Sequence, residues 1–102
     1  MRLFDYQRQA MTYRLPSADK QYALLGLVGE VGELYGYLAK GIRDGYELNE
    51  TLVRKELGDI LWFVAAIAAD CGFGLDEIAS LNIQKLQSRQ LRNKIQGSGD
   101  DR

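Results

Sequence analysis

Apolar side chains recur along most of the chain at intervals of three and four, the period of a helix buried on one side, and no stretch alternates long enough to make a strand. The pattern predicts four helices. The first covers 4–13 and is stopped by Pro16. Ser17 can cap a second over 18–42, with an apolar arc of Leu24, Leu27, Val28, Val31, Leu34, Tyr35 and Leu38. The Asp44-Gly45 pair marks a turn. Asn49 caps a third helix over 50–71, ended by Gly72-Phe73-Gly74, with Leu52, Val53, Ile60, Phe63, Val64 and Ile67 on one side. Asp76 and Glu77 open a fourth over 76–92, where acids complement the helix dipole. Residues 93–102 end in Gly97-Ser98-Gly99-Asp100-Asp101-Arg102, a composition that reads as a disordered tail. The expected fold is therefore all-α, a single bundle-like domain of four helices over 1–102.

Length changes this picture in one respect. A chain of 102 residues buries roughly 60–65% of its surface on folding, so association with a second copy would add core. Charge and composition mainly exclude. Lys plus Arg number 13 against 14 Asp plus Glu, without the basic excess that a nucleic-acid binder needs. No apolar run approaches the ~20 residues of a membrane span, and Met1-Arg2-Leu3-Phe4-Asp5 has no signal-peptide character. A single cysteine forms no internal disulfide, which makes a reducing, cytoplasmic setting the expectation. The absence of histidine removes Ser-His-Asp and Cys-His catalysis, His-ligated zinc and haem, and the His-containing di-iron bundles. Any catalysis must run on carboxylates, amines, hydroxyls or a hard metal held by oxygen.

Two pairs of acids fit that restriction: Glu30-Val31-Gly32-Glu33 on the second helix and Glu56-Leu57-Gly58-Asp59 on the third. Spacing of i, i+3 sets both members of a pair on one helical face, where like charges repel and a divalent cation would relieve them. The plain alternative is two solvated acid pairs. Helical phase argues against it for Glu56 and Asp59, which fall inside or at the edge of the third helix's apolar arc, because an unpaired buried charge costs several kcal/mol. Glu30 and Glu33 lie roughly 130° from the centre of the second helix's arc and alone would look solvated. Their side also carries Gly26 and Gly29, with Gly32 and Gly36 farther round. Each helical glycine costs roughly 0.8–1 kcal/mol, so four imply close approach by another backbone or a ligand.

On the fourth helix Asn82, Lys85 and Arg89 share a face with Leu75 and Ile78. They are either polar ends snorkelling from an apolar stripe or a phosphate-binding edge. Four carboxylates, an amine, a guanidinium and no imidazole point to magnesium and a phosphoryl-type substrate. Trp62 and the six tyrosines can stack a base or serve as core.

The two acid motifs with their flanks, Gly26-Leu27-Val28-Gly29-Glu30-Val31-Gly32-Glu33-Leu34 and Glu56-Leu57-Gly58-Asp59-Ile60-Leu61-Trp62, resemble the MazG family of nucleotide pyrophosphohydrolases. So do Tyr6-Gln7, the run Asn82-x-x-Lys85-Leu86-x-x-Arg89 and the closing Gly-Ser-Gly-Asp-Asp-Arg, which is similar to the tail of short, single-domain members. The resemblance implies hydrolysis of a (deoxy)nucleoside triphosphate to monophosphate and pyrophosphate with Mg²⁺, for which Mn²⁺ can substitute, in a homodimer or homotetramer. Glu30, Glu33, Glu56 and Asp59 would hold metal, and one of the glutamates would activate the attacking water. Asn82, Lys85 and Arg89 would contact phosphates or sugar, and a tail ordered over a site would bring Ser98, Asp100 and Arg102. The related dimeric dUTPases carry a further acid where this chain has Gly29, which leaves the base preference open. The alternatives are a phosphoribosyl-ATP pyrophosphohydrolase and a non-catalytic helical module that senses nucleotide or docks a partner.

Overall fold

The computed structural model describes residues 1–102 and contains four helices, α1 (Leu3–Met11), α2 (Lys20–Asp44), α3 (Glu50–Asp70) and α4 (Leu75–Leu91), and no strand. The all-α fold and its helix count match the sequence pattern, and specific hydrogen bonds set the ends. Asp19 rather than Ser17 caps α2, its Oδ1 accepting from the Tyr22 amide at 3.0 Å, while Ser17 lies in a turn closed by the Ala18 amide on the Leu15 carbonyl. Gly45 ends α2 at φ 73°, its amide reaching back to the Gly41 carbonyl. Asn49 caps α3 as expected, accepting from the Leu52 amide at 3.1 Å.

The other helices pack around α3. The short connection at 45–49 folds α2 back antiparallel along it, α1 lies against it, and α4 touches α3 and α1 but not α2. The chain turns by 100° between α3 and α4. Ala23, Phe63 and Ala66 form the buried cluster, bordered by Met11, Leu27, Trp62 and Ile67. Buried alanines at 65, 66 and 68 keep the waist of α3 thin. At Gly26 the Phe63 ring lies directly on the α2 backbone, in space that a Cβ would occupy.

Polar ties hold what this small core cannot. Gln7 on α1 is buried; its Nε2 donates to the Ala65 carbonyl at 3.2 Å and the Phe73 carbonyl at 3.1 Å, and its Oε1 accepts from the Leu75 amide at 2.9 Å. That last bond caps α4, whose own N-cap residue, Gly74, has no side chain to do so. Arg14 grips Asp70 through two bonds of 2.8 and 2.9 Å and holds the Ala18 carbonyl at 2.6 Å. Its hydrogen bonds keep the Asp70 carboxyl below the usual carboxylate range. The Trp62 indole donates to the Ala10 carbonyl at 3.1 Å.

The apolar arc of α2 does not act as one core face. It splits: Leu27 and Leu34 are half-buried on the side toward α3 with Ala23, Glu30 and Gly41, while Leu24, Val28, Val31 and Tyr35 stay exposed, Val28 at 72% and Tyr35 at 74%. The accessible surface is accordingly 7832 Å², where a compact monomer of this mass would expose about 5,800 Å². The radius of gyration is 16.5 Å, against about 13 Å for a compact chain of this length.

Gln7 carries the first testable consequence. Gln7→Ala leaves the Leu75 amide buried and unpartnered and should cost about 2–3 kcal/mol in urea unfolding at fixed chain concentration. Gln7→Glu should cost more at neutral pH, because a carboxylate would then face two carbonyl oxygens; equal losses would deny Gln7 its donor role.

Candidate functional site

Glu30 and Glu33 are one turn apart on α2, and Glu56 is two turns before Phe63 on the antiparallel α3. Packing Phe63 onto Gly26 therefore brings the three carboxylates together: one oxygen from each lies within 4.8 Å of the others. Glu30 and Glu56 are half-buried and Glu33 is exposed. The Glu30 Oε2 and Glu56 Oε2 atoms are buried without any hydrogen-bond partner. Burial, followed by the charges of Glu33, Asp59 and Glu56, raises the Glu30 carboxyl above its ordinary value. Three clustered carboxylates with two unsatisfied buried oxygens fit a hard divalent cation, which takes oxygen ligands and cancels their repulsion. Asp59 stands outside this close set, exposed at the rim, where its charge bears on Glu30 and on Tyr6; burial and then Asp59 raise the Tyr6 hydroxyl.

Several sequence readings change here. Glu30 is not a solvated residue, because the split of the α2 arc turns its side of the helix onto α3. Of the four glycines at 26, 29, 32 and 36, only Gly26 meets a close neighbour within the chain; Gly29, Gly32 and Gly36 look onto open space. Trp62 is tied into the core by its indole bond and by a perpendicular contact with Phe63 at 5.1 Å. Tyr37 and Tyr46 are committed to the α2–α3 turn: the Tyr46 hydroxyl donates to the Tyr37 carbonyl, and the Tyr37 hydroxyl accepts from the Asn49 amide at 2.7 Å.

Asn82, Lys85 and Arg89 do not join the acids within one chain. With 1.5 Å of rise per residue and the turn after α3, Lys85 lies on the order of 20–25 Å from Glu56. Instead the tail covers this face, against the disorder that its composition suggests. Asn93, at φ 58°, reverses the chain after α4, with the Lys94 amide on the Arg89 carbonyl and the Asn93 amide on the Gln90 carbonyl; asparagine tolerates this left-handed cap. The Arg102 guanidinium then closes the loop on the Lys94, Gly99 and Ile95 carbonyls at 3.0, 2.7 and 3.0 Å. Asp100 bonds Lys85 at 2.8 Å, and its backbone carbonyl accepts from the buried Arg89 at 2.6 Å. Ser98 is exposed in the same loop, and Asn82 is exposed one turn before Lys85. The residues that sequence reasoning passed over are Gln7 as the cap of α4 and the Arg14–Asp70 pair, whose partners are more than fifty positions apart.

The acid cluster predicts its own pH behaviour. Because the folded Glu30 carboxyl binds its proton more tightly than usual, metal-free stability should fall as pH rises through its raised titration range. Glu30→Gln should flatten that fall. Millimolar Mg²⁺ should raise the melting temperature of the wild-type chain, by about 2.7 kcal/mol of stability at one hundred times the dissociation constant, and do little for the variant. An equal metal shift in both would reject Glu30 as a ligand.

No single helix is long and apolar enough to cross a membrane. No solved structure matches the chain. It is 41% identical over 85 residues to the gene 37 protein of Mycobacterium phage L5, covering 79% of this chain and 75% of that one. The model of the MazG nucleotide pyrophosphohydrolase domain matches residues 19–92, a span that holds both acid motifs and the cationic face of α4. The chain belongs to the MazG nucleotide pyrophosphohydrolase family.

Proposed function

We propose that the protein is a metal-dependent nucleoside triphosphate pyrophosphohydrolase, releasing monophosphate and pyrophosphate. The carrying observation is the meeting of Glu30, Glu33 and Glu56, with buried unpartnered oxygens on two of them, in a chain that has no histidine. These three glutamates, with Asp59 at the rim, would hold Mg²⁺ or Mn²⁺. When bound, the cation supplies the positive charge that draws phosphate oxygens toward an otherwise repulsive acidic face. One of the glutamates takes the proton from the attacking water as a phosphoanhydride bond breaks. Asn82, Lys85 and Arg89 supply the contacts to phosphates or sugar, and a reducing, cytoplasmic setting fits the single free cysteine.

The working unit in this reading is a homodimer or homotetramer. The surface in excess of a compact monomer is about 2,000 Å² per chain, an amount in keeping with an obligate interface between copies. The exposed row of Leu24, Val28, Val31 and Tyr35 follows four-three-four spacing, the seam a second helix packs on. The well-defined hollows lie away from the acids, for example beside Asp5, Arg8, Gln9 and Thr12, so a second copy would both wall the acidic face and carry an α4 toward it.

Pyrophosphate release from a panel of canonical and modified (deoxy)nucleoside triphosphates should depend on Mg²⁺. Glu56→Gln should abolish it with the helical circular-dichroism spectrum intact. Silence across the panel with metal still stabilising the fold would favour a nucleotide-binding sensor, and turnover of phosphoribosyl-ATP alone would favour that narrower hydrolase.

Sedimentation equilibrium should give the mass of two or four chains, and Val28→Glu should lower both the mass and the turnover. A monomer with full activity would reject the assembly.

A further inference from the structure

The cationic face of α4 is occupied by an anion from its own chain. The Asp100 carboxylate bonds Lys85 at 2.8 Å and stands 3.4 Å from the Arg89 Nη2, and these contacts hold Asp100 below the usual carboxylate range. Its placement is built rather than accidental. Arg102 closes the loop on three carbonyls, Arg92 donates to the Arg102 carbonyl at 2.8 Å, and Gly97 and Gly99 take positive φ values of 113° and 91°.

The carboxylate is nevertheless a poor occupant. Its side chain is 80% exposed, and the Arg89 Nε, on a side chain only 7% exposed, has no acceptor at all. A phosphate group, with more oxygens and more charge, can serve Lys85 and the remaining Arg89 donors together. The Arg89 bond to the Asp100 backbone carbonyl does not involve the carboxylate. Rotation of the Asp100 side chain would therefore vacate Lys85 while the loop stays closed.

We propose that Asp100 is a built-in competitor for the phosphate-binding face of α4, displaced from Lys85 when a polyphosphate enters and returning as product leaves. The inference rests on the assignment of Lys85 and Arg89 to phosphate and adds the regulation of that face. The exchange sets a threshold: a weakly charged anion gains little by replacing a carboxylate, whereas a polyphosphate gains charge and partners.

The test is binding of inorganic tripolyphosphate to the full chain by calorimetry at fixed ionic strength, without turnover. Asp100→Asn keeps the shape and removes the charge, and should bind two- to fivefold more tightly, the range expected for release of an exposed ion pair. The gain should vanish in the Lys85→Met background. Unchanged or weaker binding by Asp100→Asn, or a gain that persists without Lys85, would overturn the proposal; weaker binding would make Asp100 a positioning group for the cations. The two readings fail separately. Metal-dependent pyrophosphate release alongside unchanged tripolyphosphate affinity would sink only the competitor. Tighter tripolyphosphate binding with no turnover of any nucleotide would sink only the hydrolase.

Discussion

The contact of Phe63 with the bare backbone of Gly26 sets the distance between α2 and α3, and the acidic site depends on that distance. A methyl group at position 26 would push the ring away and part the helices. One and two helical turns along α2, and two turns back along α3, stand the carboxylates, whose repulsion opposes the same approach. An apolar contact of high complementarity thus stabilises an electrostatic arrangement that disfavours itself. This imbalance is what a cation-binding site requires before the cation arrives.

The remaining fold serves to keep this hairpin in place with little core. Gln7 caps α4 from α1 and ties both to α3, so three helices share one side chain. Arg14 and Asp70 tie the connection between α1 and α2 to the end of α3, and at 15% and 19% side-chain exposure the pair is shielded enough to matter. These polar ties fix orientation where apolar burial is scarce. They also leave one side of α2 free, so the apolar row from Leu24 to Tyr35 faces outward although its periodicity is that of a core.

That row shows where periodicity stops being informative. A helix can turn one half of its apolar arc inward and leave the other exposed, and helical phase cannot say which half goes inward. Glu30 is therefore legible as a candidate from its i, i+3 partner, but its burial is not, because the inward side of α2 lies off the centre of the whole arc. Glu56 is legible in both respects, since the whole apolar arc of α3 turns inward and Glu56 sits within it. Composition misleads for the tail because glycine and serine lower intrinsic order, whereas its order comes from Arg102 reaching three carbonyls and from Lys85, Arg89 and Arg92 holding the loop from α4 and its end.

The sequence by itself determined the helices, the cap at Asn49, the turn at Asp44-Gly45, the exclusion of imidazole chemistry and the identity of the acids, because these follow from local backbone preference and side-chain chemistry. Only the tertiary structure decided that Glu30, Glu33 and Glu56 meet while Asp59 stays at the rim, that Gln7 caps a helix 68 residues away, and that Asp100 lies on Lys85. Those depend on which faces of two helices are pressed together, a choice made by the summed packing of distant residues and invisible to any local window.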